Sequence, residues 1–314
     1  MTKASSNPEN RERIPFVSVI INCYNSAKYL REALDCVLAQ TFTDWEIIFW
    51  DNQSTDESAE IFKSYSDPRM KYFQAPEFTV LGKARNLAVE KAKGFWLGFL
   101  DCDDIWLPEK LEKQVEIINK GGKELGLVYG QMLVIIDEES KSVWSKRMLK
   151  YQTKTRLAKL PEGYIFEELL CDNFVPLLTA MVSSVAFSNV GGINSTFKQA
   201  EDFDLFVKIS EHYEASAVQE VIALYRVHGA NISEIQHTKT VAETIEIVNR
   251  YLPSRIARKA LKFHFANEAI YRIRSKDFIG FINLIKKSDG IVGLFIALFK
   301  VVFYHLRIKF VRTN

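Results

Sequence analysis

The chain has 314 residues, 47% hydrophobic and 25% charged, which excludes a disordered polymer and allows a large core in one or two domains. Its 41 Lys and Arg against 39 Asp and Glu leave a net charge of +2, so overall charge selects no partner. From Arg255 onward, however, Glu268, Asp277 and Asp289 are the only acids among many bases, the pattern of an end that meets a polyanionic surface, membrane or nucleic acid. Cys23, Cys36, Cys102 and Cys171 form no C-x-x-C pair or metal spacing and read as small core residues of a reducing compartment. The polar start MTKASSNPENRER lacks the apolar core of a signal peptide, so a cytoplasmic site is expected.

Residues 1–14 read as a disordered lead. Phe16 to Asn22 is an apolar, β-branched run, the mark of a strand covered on both faces. It ends in the polar turn Cys23-Tyr24-Asn25-Ser26. Ser26 is a candidate N-cap for a helix whose Leu30, Ala33, Leu34, Val37 and Leu38 form one stripe. Trp45 to Trp50 is a second strand, stopping abruptly at Asp51-Asn52-Gln53-Ser54-Thr55-Asp56. Ser54 and Glu57 have capping-box spacing and predict a helix to about Tyr65. Met70 to Phe73 is a short third strand. Gly82 opens a helix carrying Leu87, Ala88 and Ala92, and Gly94 is expected to close it. Phe95 to Leu100 is a buried fourth strand, and Pro108 with Leu111, Val115 and Ile118 starts the next helix. This alternation predicts an α/β, doubly wound, mostly parallel sheet, with the polar strand ends converging on one crevice.

Gly126 to Ile136 is a further strand candidate, and Asp137 to Glu162 is a charged connection without a clear period. Leu177 to Val185 is strand-like and Gly191-Gly192 marks a turn. Phe197 to Ile209 carries a helical stripe behind Glu201 and Asp202, and Val218 to Tyr225 is a last strand before Arg226-Val227-His228. The rest is helical.

The stretch FLDCDDIWLP, Phe99 to Pro108, places three carboxylates, Asp101, Asp103 and Asp104, at the carboxyl end of a strand. Such crowding is tolerated where a cation or polar ligand offsets the repulsion, and hard oxygen donors suit Mg²⁺ or Mn²⁺ completed by phosphate oxygens. The plain alternative is a solvated turn with Asp104 capping the following helix. Asp51, ending a strand, could accept a hydrogen bond from a nucleobase imide, with Tyr24 in the neighbouring turn offering a face for stacking; a turn-forming acid and a half-buried aromatic are the structural alternatives. Lys83 and Arg85 near a helix start suit a diphosphate, or simply face solvent. Glu201 and Asp202 at a helix start are stabilised by the helix dipole without any function, or supply a general base. His228 could be a cation ligand or phosphate partner, or a solvated loop histidine.

Taken together, VSVIINCYN (Val17 to Asn25), WDNQSTD (Trp50 to Asp56), GKARNLAVEKAKG (Gly82 to Gly94), FLDCDDIWLPEKLEKQ (Phe99 to Gln114), AEDFDLFVKI (Ala200 to Ile209) and YRVHGANIS (Tyr225 to Ser233) resemble the family-2 inverting glycosyltransferases of the GT-A fold. The resemblance implies a catalytic domain over residues 15–235, followed by a helical, basic extension over 236–314. It places Tyr24, Asn25, Asp51, Arg85, Asp101 and Glu201 on a nucleoside diphosphate sugar, with UDP the expected nucleotide. It makes Asp103 and His228 ligands of a divalent cation and Asp202 the catalytic base. Asn52 and Gln53 replace the commoner Asp and Gly after the first acid, and Asn194-Ser195 replaces an acidic pair before the base motif. No QxxRW motif is present, which implies a single-sugar transferase acting on a glycan or lipid-linked glycan. A non-catalytic nucleotide-sugar-binding relative is the alternative. A dehydrogenase is disfavoured because no GxGxxG follows the first strand, and no nucleic-acid-binding module is recognisable.

Gly290 to Leu306 is the most hydrophobic segment, flanked by Lys286, Lys287, Arg307, Lys309 and Arg312. It is short for a membrane span. It reads as an amphipathic helix on a cytoplasmic membrane leaflet, or as a helix packed on the protein's own core or a partner chain.

Overall fold

A computed structural model of the chain describes residues 13–136, 159–228 and 237–287. The lead before Arg13, most of the Asp137 to Glu162 connection, the end of the YRVHGANIS stretch and the Gly290 to Leu306 segment lie outside the described residues.

The first two apolar runs form β1 (Val17–Cys23) and β2 (Trp45–Asp51), whose side chains are buried on both faces. With β3 (Met70–Gln74) and β4 (Trp96–Phe99) they pair in parallel in the order β3-β2-β1-β4. The crossovers are α1 (Ala27–Leu38), α2 (Ser58–Lys63) and α3 (Leu81–Val89). Leu30, Ala33, Leu34 and Val37 of α1 are fully buried, as the stripe predicts, and each such aliphatic side chain of Leu or Val size contributes about 1.5–3 kcal/mol.

Beyond β4 the sheet becomes mixed. β5 (Ile105–Trp106), which the sequence does not announce, and α4 (Lys110–Lys120) precede β6 (Leu125–Ile136). Then come α5 (Phe166–Cys171), a 3₁₀ turn (Leu177–Thr179), β7 (Met181–Ser183), α6 (Ser184–Asn189), α7 (Glu201–His212) and β8 (Glu214–Val227). The eight strands run β3-β2-β1-β4-β7-β6-β8-β5, with β7 antiparallel to both neighbours and β6 parallel to β8. The expected doubly wound, mostly parallel sheet is present, with β7 and the short edge strand β5 inverted.

Three local expectations are corrected. Leu177 to Val185 is not one strand, because Thr179 returns both its N–H and its hydroxyl to the Pro176 carbonyl and closes a turn before β7 begins. Ser54 and Glu57 form no capping box: the Ser54 hydroxyl accepts from Asn25 N across the crevice, and Asp56 takes the Ser58 N–H instead. Gly94 does not end α3, which stops at Val89. It lies against β1, where a Cβ would stand 2.5 Å from Ser18 N.

C-terminal α8 (His237–Asn249), α9 (Arg255–Arg274) and α10 (Phe278–Lys287) follow. Ile247, Val248, Ala257 and Ala260 share one buried cluster with Phe203, Phe206 and Ile209 of α7. No helix among the described residues is long and apolar enough to cross a membrane.

The contact at Gly94 involves backbone that cannot move without separating β1 from β4. Gly94→Ala is therefore expected to lower unfolding stability by about 1–3 kcal/mol, read from a shifted urea midpoint at unchanged m-value.

Candidate active site

The carboxyl ends of β1, β2, β4 and β8 and the start of α7 carry the polar residues singled out in the sequence. Two groups form, one around Asp51 and one around Asp101.

At the end of β2, Asp51 is 1% exposed, and burial of a carboxylate requires donors. Its Oδ1 accepts from Ser54 N at 2.8 Å and its Oδ2 from the Tyr72 hydroxyl at 2.6 Å. Burial and Asp51 push the Tyr72 phenol above its ordinary value, which keeps it a donor. Tyr72 escapes sequence reasoning because β3 carries no polar pattern that points at Asp51. The turns after β1 and β2 are stitched together. Asn25 stands at φ 49°, and its Oδ1 accepts from Thr55 N at 2.7 Å. Ser58 Oγ accepts from Ser26 N at 3.0 Å, and Asp56 Oδ2 from Ala27 N at 3.0 Å. The first N–H of α1 is thus capped from the neighbouring turn, while the Ser26 hydroxyl bonds back to Tyr24 O.

Tyr24 is 51% exposed beside an equally open Phe78, their ring centroids 4.8 Å apart. Phe78 sits in the loop after β3. Asn52 holds that loop through both amide atoms, Nδ2 donating to Thr79 O at 2.7 Å and Oδ1 accepting from Thr79 N at 3.1 Å. Gln53, at φ 71°, donates to Ala75 O. The departures at Asn52 and Gln53 therefore pin a loop.

The second group is organised by Arg85, turned inward from α3 with a side chain 5% exposed, while Lys83 is exposed and 3.5 Å from Glu77. Arg85 Nη2 donates to Asp101 Oδ1 at 2.8 Å and Nη1 to Glu201 Oε1 at 2.7 Å. Burial would lower the guanidinium's pKa, but Asp101 and Glu201 outweigh it and raise the value. Glu201 Oε2 is buried without a hydrogen-bond partner among the described residues. Asp202 accepts from Phe203 N at 2.7 Å. Desolvation first and the Glu201 charge second push its carboxyl up to about 7, against the opposing pull of Arg85. The turn before α7 is held from the C-terminal part: the Glu243 carboxylate of α8 accepts from the backbone N of Lys198, Gln199 and Ala200 at 2.8–3.1 Å.

Asp103 and His228 meet directly, with His228 Nε2 and Asp103 Oδ2 2.8 Å apart. Burial, then the Asp101 charge, raise the Asp103 carboxyl above its ordinary range. Asp104 is buried and accepts from Arg226 N at 2.9 Å; the alternative in which it caps the following helix does not hold, since α4 begins only after β5 has paired with β8. Among the described residues no three His, Cys, Asp or Glu side chains are grouped to hold a metal ion by themselves. Asp103 and His228 nevertheless fit a divalent ion that takes its remaining ligands from diphosphate and water, because two donors meet there and an adjacent cation would relieve the Asp101–Asp103 repulsion.

Arg85 ties the acidic turn after β4 to the acid pair at the start of α7. Arg85→Met is expected to destabilise the fold by about 3–5 kcal/mol at neutral pH, because it leaves Glu201 buried and uncompensated. A denaturant titration at pH 7.5 measures the loss.

Residues 18–173 match the family described as Glycosyl transferase family 2. An uncharacterized glycosyltransferase of Rickettsia prowazekii is 31% identical over 240 residues, covering 74% of this chain and 69% of its own length. The UDP-Glc:alpha-D-GlcNAc-diphosphoundecaprenol beta-1,3-glucosyltransferase WfgD of Escherichia coli is 25% identical over 244 residues, covering 77% and 88%. Solved structures share the fold: S. aureus TarS 1–349 in complex with UDP-GlcNAc, at TM-score 0.64 and 19% identity over 86% of this chain and 79% of that one. The mannosyltransferase PcManGT of Pyrobaculum calidifontis, in complex with GDP-Man and Mn²⁺, aligns at TM-score 0.58 and 16% identity over 84% and 76%. The sheet is thus of the GT-A type, and the chain belongs to glycosyltransferase family 2.

Proposed function

We propose that the chain moves one sugar, with inversion, from a nucleoside diphosphate sugar to a hydroxyl of a glycan or lipid-linked glycan, as in cell-surface polysaccharide assembly. One observation carries the reading: the guanidinium of Arg85 is shared by Asp101 and Glu201, so the acidic turn after β4 and the acid pair at the start of α7 border one crevice. The donor and acceptor of WfgD and the UDP-GlcNAc bound by TarS support a UDP-sugar and a lipid-linked acceptor here.

Residues 15–235 carry this chemistry, and the 236–314 extension supports it through Glu243. The half-exposed ring of Tyr24 offers a face for the nucleobase, and Asp51, fixed by Tyr72 and Ser54, an acceptor for its imide. Asn25 holds the adjoining turn. Arg85 is spent on two carboxylates and acts by orienting Asp101 and Glu201 at the donor. Asp103 and His228 would hold a divalent ion, Mg²⁺ or Mn²⁺, and the Mn²⁺ of PcManGT supports that choice. Such an ion supplies charge neutralisation for the departing diphosphate.

The acceptor hydroxyl gives its proton to Asp202 as its oxygen bonds to the anomeric carbon. The bond from that carbon to the diphosphate oxygen breaks on the opposite face, and the electron pair leaves with the nucleotide. Asp202 must begin as the carboxylate. With its pKa raised to about 7, turnover should climb as pH rises through that value and fall away below it, the reverse of a group that works protonated.

The test is metal-dependent release of nucleoside diphosphate across a panel of nucleotide sugars, with and without EDTA. UDP release that EDTA abolishes is expected. Asp202→Asn should bind UDP like the wild type and lose roughly 10²–10⁴-fold in turnover. Near-wild-type turnover in that variant removes Asp202 from the role, and no release from any donor supports the non-catalytic alternative.

A further inference from the structure

One cluster behind the acidic turn is unused by the chemistry above. Tyr29 lies in the first turn of α1, its ring centroid 5.1 Å from that of His228 and the planes inclined at 37°. The Arg226 guanidinium carbon lies 4.6 Å from the same ring. Arg226 also donates from Nη2 to Glu32 Oε2 at 2.7 Å, on the same face of α1, and from Nε to the Asp103 carbonyl at 2.9 Å. Its backbone N–H goes to Asp104 Oδ1 at 2.9 Å. Arg226 is 8% exposed, so its guanidinium is largely out of water, while its partner Glu32 stays half exposed. β8 and α1 are therefore joined to the acidic turn by one side chain that touches Asp103 from behind, while Tyr29 backs the imidazole that touches Asp103 from the front.

We propose that Tyr29 and Arg226 are positioning residues for the divalent-cation pair Asp103–His228. Tyr29 fixes the plane of the imidazole, and Arg226 fixes the Asp103 backbone and braces the ring of Tyr29. The inference rests on the proposed role of that pair. Partners that orient a metal ligand typically change metal affinity by 10–100-fold when removed. The working part of Tyr29 is its ring face, so its hydroxyl is dispensable.

The test is Mn²⁺ uptake by the full chain in the presence of UDP, followed by loss of the free-ion EPR signal, with UDP affinity in EDTA measured alongside. Tyr29→Leu and Arg226→Met should weaken Mn²⁺ binding roughly 10–100-fold, while Tyr29→Phe stays close to wild type. UDP affinity in EDTA should hardly move in any of them. His228→Ala serves as the reference for a lost ligand. Wild-type affinity for Mn²⁺ in Tyr29→Leu, alongside a clear loss in His228→Ala, overturns the positioning role and leaves the cation site standing. A loss in Tyr29→Phe equal to that in Tyr29→Leu, or a parallel loss of metal-free UDP binding, also overturns it. No Mn²⁺ uptake by the wild type overturns the cation pair itself, and the positioning role with it.

Discussion

The shared guanidinium of Arg85 is the interaction on which the crevice depends. Two carboxylates 100 residues apart in sequence are held together by a cation between them, and the buried Arg85 supplies it to a buried Glu201 on one side and a part-exposed Asp101 on the other. Because Arg85 is fixed to α3 and flanked by both acids, its single positive charge is shared between them and leaves part of the local negative charge uncompensated. The uncompensated part is carried by Asp202, whose proton affinity is raised by burial and by Glu201 and lowered by Arg85. A structural ion pair and the raised proton affinity of Asp202, the base we propose, are thus two aspects of one charge balance.

Around that centre the strand ends are joined to one another. Asn25 to Thr55, Asp56 to Ala27 and Asn52 to Thr79 link three successive loops into a single rim. The start of α7 is braced from outside the sheet by Glu243, which gathers three backbone N–H groups immediately ahead of Glu201 and Asp202. Side chains on loops can be placed for chemistry only when the loops themselves have little freedom, and here that restriction comes from side-chain to backbone bonds between loops. The C-terminal helices share the core of α7, so the extension bears on the site and is more than an appendage.

Much of this was legible in the residues. β1 and β2 are buried on both faces, and continuous β-branched and aromatic runs report that directly. The acids at strand ends were visible because carboxylates following an apolar strand need either solvent or a partner. What escaped was set by partners distant in sequence. Ser54 has a cap's spacing, yet a donor from the turn after β1 claims its hydroxyl. Asp104 has a cap's position, yet β8 supplies its donor and β5 intervenes. Arg85 read as a diphosphate cation because nothing local shows that Glu201 returns to it, and Glu243 and Tyr29 carry no local signal at all. Gly94 looked like a helix stop when its reason is the approach of β1.

The charge balance around Asp202 is tested most directly by the pH dependence of turnover in Glu201→Gln, with the donor sugar that supports release in the wild type. Removing the Glu201 charge while keeping its shape takes away a cause of the raised Asp202 pKa and leaves Arg85 to act on Asp202 less opposed. The acid limb of the profile should move to lower pH. A limb that stays where the wild type has it would contradict the account, because the group governing turnover would then lie outside the field of Glu201 and Arg85.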